Sequence, residues 1–149
     1  MKRRRWIIIS LTLIVIILIG ISTGGRKKAL QDVAAELLDT TEIEEVTYVE
    51  ELMVTTRTPE MIPLEDKEDS KAILEAMEDT QVKFLRTELG MEITTDLYTI
   101  TIRSNDHATT LTFDANGYVH SNDDDKTYQI VNDVNIYSIV QKVYKENCN

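Results

Sequence analysis

The stretch DANGYVHSNDDD, residues 114–125, gathers the side chains of this chain that come closest to a site for chemistry. Asp114, Asn116, Asp123, Asp124 and Asp125 offer the carboxylate and amide oxygens that a hard cation such as calcium prefers. The spacing argues against a dedicated calcium loop. An EF-hand needs D-x-[DN]-x-[DN]-G followed by a Glu six residues after the glycine. Here Asn116 does precede Gly117, but Thr112 stands at the first ligand position and Asp123 at the last. If strands pair across Asn116-Gly117, the acidic turn lies at the far end of that hairpin from Asp114. The segment reads as two polar turns, with weak divalent binding at Asp123–Asp125 as the residual chemistry.

The remaining reactive residues are scattered. His107 and His120 stand 13 positions apart with no cysteine between them, whereas metal ligands come in closer sets. A nucleophile elbow, a phosphate-cradling glycine loop and H-E-x-x-H are all missing. With 26 acidic residues in the chain, a carboxylate pair at glycosidase spacing carries no specificity. Cys148 is the sole cysteine, so it makes no internal disulfide and reads as a passive tail residue. Tyr48, Tyr98, Tyr118, Tyr128, Tyr137 and Tyr144 read as the edge of a small core with their hydroxyls toward water. No catalytic, cofactor-binding or metal-ligating residue is assigned, and the chain is expected to be non-enzymatic. A carboxylate- or divalent-dependent hydrolase is the alternative from another class.

The elements that must position these residues follow from periodicity. Leu30, Val33, Ala34, Leu37 and Leu38 recur at helical spacing, with Asp32, Glu36 and Asp39 on the other face. Val, Thr and Tyr enrichment predicts a strand around Glu45–Val54, and Pro59 and Pro63 mark a loop. Asp66 is the expected N-cap of a helix over roughly Lys67–Asp79, whose buried stripe would be Ala72, Ile73, Ala76 and Met77. Thr80–Ile93 is ambiguous, with an extended start at Val82 and Phe84 and a turn at Gly90. In DLYTITIRS, Tyr98, Ile100 and Ile102 fall on one face and Thr99, Thr101 and Arg103 on the other. Turns at Asn105-Asp106, Asn116-Gly117 and Asn122–Asp125 divide the following chain into a meander, with strands at Tyr118–Ser121 and Tyr128–Val131. Asp133 is the expected cap of a last helix carrying Ile136, Ile139, Val140 and Val143. The order predicts an α+β fold, a small antiparallel β-meander domain with helices on one face.

Charge divides the chain in two. Residues 1–28 carry seven Lys/Arg and no acid; residues 29–149 carry the other nine basic residues and all 26 acidic ones, a net charge of −17. Such a domain repels nucleic-acid phosphates and is expected to stay clear of anionic lipid headgroups. From Trp6 to Gly25 there are 20 uncharged residues, mostly Ile, Leu and Val. At ~1.5 Å per residue this spans about 30 Å, a bilayer core. Residues 1–28 therefore read as an N-terminal membrane anchor contacting lipid through residues 6–25, or an uncleaved signal, and residues 29–149 as an acidic extracytoplasmic domain. Secretion after cleavage near Gly24 is the alternative, disfavoured by the long apolar run. A lipoprotein is excluded because no cysteine follows that run. Four Lys/Arg precede the span and three follow it, which sets the N-terminus in the cytoplasm and the domain outside.

The succession of a basic-apolar N-terminus, IEEVT, DKEDSKAILEAM, TITI, FDANGYV and YQI resembles the small uncharacterised membrane-anchored extracytoplasmic proteins of Gram-positive bacteria. The resemblance covers about residues 40–145 and departs from the family in lacking the lipid-bearing cysteine many of its members have. It implies a cell-surface location and a compact α+β domain, and it transfers no functional residue. The function expected is a membrane-tethered, non-enzymatic extracytoplasmic module that binds another envelope protein or modulates an envelope process. An immunity- or inhibitor-type protein, its acidity matched to a basic target, is the further alternative. The sheet face of Thr99, Thr101, Thr110 and Thr112 is the expected interaction surface.

Overall fold

The computed structural model describes residues 26–52, 61–85 and 96–148. The apolar run of residues 6–25, the cleavage position near Gly24, Val54, Pro59 and Gly90 lie outside those residues. In chain order the elements are β1 (Lys28–Ala29), α1 (Leu30–Leu37), β2 (Glu45–Leu52), β3 (Met61–Pro63), α2 (Lys67–Asp79), β4 (Gln81–Phe84), β5 (Leu97–Ser104), β6 (His107–Phe113), β7 (Tyr118–Ser121), β8 (Lys126–Ile130) and α3 (Ile136–Asn147). The fold is α+β: one eight-stranded sheet in the order β1-β4-β8-β7-β6-β5-β2-β3, every pairing antiparallel, with three helices among the described residues.

The meander β5–β8 forms the middle of the sheet, and its register explains the core. Tyr98 lies opposite Phe113 and Ile100 opposite Leu111, while Val46 and Val49 of β2 lie opposite Ile102 and Ile100. All are buried. Leu30, Val33 and Ala34 of α1, Ile73, Ala76 and Met77 of α2, and Ile136, Val140 and Val143 of α3 join the same cluster. The helices thus bury their apolar stripes against one face of the sheet, the arrangement that removes most apolar surface from water for an amphipathic helix.

Several local expectations are refined. The α2 stripe uses Ser70 in place of Ala72, which is exposed. Ser70 is buried because its Oγ accepts a hydrogen bond from Val46 N at 2.8 Å. Val46 sits beside a bulge in β2, beyond the end of β3, where a strand partner is lacking for that N–H. Asp66 caps α2, accepting from Glu68 N at 2.8 Å. The cap of α3 is Asn135, which accepts from Ser138 N at 3.1 Å; Asp133 lies two residues too early. The Asn116-Gly117 turn is a wider hairpin than a two-residue turn. Only Gly117 takes a positive φ, +83°, and Gly117 N donates to Asp114 O across the turn. Pro63, expected in a loop, closes the three-residue edge strand β3, a position that tolerates a missing N–H.

Candidate binding surfaces

Among the described residues, the helices leave open the outer face of the sheet and a groove at its β1–β4–β8 end. On the outer face, register places Thr99 opposite Thr112 and Thr101 opposite Thr110. The four threonines are brought together as the alternation implies. They do not contribute equally. Thr99 and Thr112 are 4 % and 3 % exposed, and their hydroxyls lie 3.0 Å apart. Thr101 and Thr110 are half-buried and offer the accessible part of the row, with exposed Arg103 and Ala108 beyond them.

The groove holds about 280 Å³ between α1 and the sheet. Arg26, Lys28 and Lys126 line it with Glu36, Phe84 and Tyr128. Lys28 pairs with Glu36, and Lys126 Nζ lies 2.6 Å from Asp124 Oδ2. Burial pushes the Asp124 carboxyl up, but the Lys126 ammonium more than offsets this and holds it below the usual aspartate range. Asp124 in turn holds the Lys126 ammonium above its usual range. Phe84 is 41 % exposed, and its ring packs against Tyr128 with centroids 5.9 Å apart. Sequence reading missed the groove because it joins residues from four separate elements, and β1 is only two residues long.

The acidic turn does not converge on one point. Asp123 accepts from the Thr109 hydroxyl, Asp124 pairs with Lys126, and Asp125 faces His120 at 3.5 Å. Each carboxylate is turned to a different neighbour, whereas a calcium site needs several oxygens aimed inward. Asp114 is buried at the other end of β7, where its Oδ1 accepts from Asn116 N and Tyr118 N at 2.9 and 2.8 Å. It shapes the hairpin turn. Among the described residues no group of three or more His, Cys, Asp or Glu is placed to hold a metal. His107 opens β6 and is exposed, and His120 lies on β7 with Nδ1 3.3 Å from the Thr127 hydroxyl.

The tyrosines divide as well. Tyr98 is fully buried and packs edge-on against Tyr137, with Tyr144 tilted at 5.6 Å. Its hydroxyl donates to Glu51 Oε1 at 2.7 Å and accepts from Gln141 Nε2 at 3.2 Å. Burial, reinforced by Glu51, raises the Tyr98 phenol far above its usual range. Tyr98 and Tyr144 belong to the core and not to its edge; Tyr48 and Tyr118 are half-buried on the outer face.

Compared with protein-family models, curated proteins and solved structures, nothing matches this chain.

Proposed function

We propose that this protein is a membrane-tethered, extracytoplasmic module that acts by binding a partner protein through the outer face of its sheet. The observation that carries the reading is the division of the sheet into a helix-covered inner face and a polar outer face in one domain. An antiparallel sheet tolerates one face in water, and that face is where a partner can dock. Here Thr101, Thr110 and Arg103 are left accessible. The uncharged run of residues 6–25 supplies the tether, and Arg26 follows it directly. Among the described residues no helix is long and apolar enough to cross a membrane, so the tether rests on residues 6–25 alone. The net charge of −17 on residues 29–149 favours a partner with a basic contact surface.

The test is site-specific photocrosslinking in cells, with the crosslinker at Thr101 or Thr110 on the outer face and at Glu75 or Glu78 on the solvent side of α2. A discrete adduct from the two threonine positions and none from the helix positions is expected. Adducts that are equal from both faces, or lacking from both, contradict the proposal.

A further inference from the structure

We infer that the β1–β4 corner of the domain docks on anionic phospholipid headgroups, with Phe84 entering the interfacial layer. The inference rests on the tether proposed above and adds a contact that fixes how the domain lies on the membrane. Half of the ten Lys/Arg among the described residues stand at this one corner: Arg26, Lys27, Lys28, Lys83 and Lys126. Arg26–Lys28 run into β1 beside β4, where Lys28 lies opposite Val82; β4 then carries Phe84 on the groove face and Lys83 on the opposite face of the same sheet end. Tyr128 pairs with Phe84 across β4 and β8, and Lys126 lies two residues before it.

All five cations are exposed. Glu36 and Asp124 balance Lys28 and Lys126. No ion pair among the described residues takes up Arg26, Lys27 or Lys83. The corner is therefore positive on a domain that is otherwise strongly negative. Near an anionic surface such a charge distribution exerts a torque: the acidic bulk is repelled and the basic corner is drawn in. The place of this corner matters as much as its sign. The chain leaves the described domain at Arg26, and the uncharged run ends at Gly25. A tether emerging there brings this corner to the bilayer surface. Phe84 is one of two large apolar side chains exposed among the described residues. An exposed aromatic ring rimmed by cations is the composition favoured at the membrane–water interface.

The experiment uses the full chain with Trp6→Phe and Phe84→Trp, so that the one indole reports position 84. It is reconstituted into vesicles of phosphatidylglycerol with brominated phosphatidylcholine, and into brominated phosphatidylcholine alone. Flotation first establishes whether the chain stays with the vesicles. The expected result is co-flotation in both, with a blue-shifted and bromine-quenched emission only where phosphatidylglycerol is present. Adding Lys83→Glu should remove the quenching without releasing the chain, and raised salt should weaken it. Co-flotation without quenching overturns the docking and leaves the tether standing. Equal quenching without phosphatidylglycerol overturns headgroup recognition. Failure to float overturns the tether and the docking together.

Discussion

A phenol in the middle of a core needs partners for its hydroxyl, and Tyr98 has them in Glu51 and Gln141. The neutral phenol is the form this site holds. Its folded-state pKa is raised above the unfolded value of about 10. The stabilisation is therefore complete below pH ~10 and is lost as pH rises above it. Tyr128 and Tyr137 are shifted the same way, first by burial and then by nearby carboxylates. Absorbance at 295 nm should show these phenols ionising late, coincident with alkaline unfolding, and Tyr98→Phe should move that unfolding to higher pH. Asp124 works at the other end of the scale. Its lowered pKa means stability present above the ordinary aspartate value of about 3.9 and lost as pH falls below it. The Asp124→Asn variant should lose less stability on acidification below that value than the parent does. Ser70→Ala should destabilise the domain by about 1–3 kcal/mol in urea unfolding, because it strands the buried Val46 N–H.

At the scale of elements, the strongest periodicities were legible. The stripe of Leu30, Val33 and Ala34, the alternation of Tyr98, Ile100 and Ile102, and the limits of α2 at Lys67 and Asp79 follow from apolar spacing and the Asp66 cap. What escaped was set by tertiary contact. β1 and β3 are two and three residues long, too short for any period to register, and they exist because β4 and β2 offer free edges to pair with. Ser70 joins the core through a single hydrogen bond to another element, which no helical pattern encodes. The choice of Asn135 over Asp133 as the α3 cap is decided by where β8 ends and the chain turns. It gives a direct contrast: Asn135→Ala should cost about 1 kcal/mol of stability, and Asp133→Ala should leave the urea midpoint nearly unchanged. Gly117→Ala should cost about 1–2 kcal/mol, since an added Cβ has room beside Ile130 and the penalty comes from the positive φ alone.

On the scale of the whole molecule, the division of charge between residues 1–28 and 29–149 was plain in the sequence. Its spatial consequence was not. Lys83 and Lys126 lie 57 and 100 positions beyond Arg26, and only the antiparallel stacking of β1, β4 and β8 gathers them at one corner. The acidic turn illustrates the converse: Asp123, Asp124 and Asp125 are adjacent in sequence and each faces a different partner. Calorimetric titration of the full chain with calcium should accordingly give no saturable heat at that turn, and a stoichiometric heat lost in Asp124→Asn would contradict its geometry. The tethered arrangement is tested most directly by protease shaving of intact cells, with N-terminal sequencing of the released and retained pieces. An outward-facing domain on a retained anchor predicts release of fragments from within residues 29–149 while a piece beginning at the native N-terminus stays with the membrane. A domain that resists protease until the cells are lysed, or a soluble form beginning near Gly25 in the medium, contradicts it.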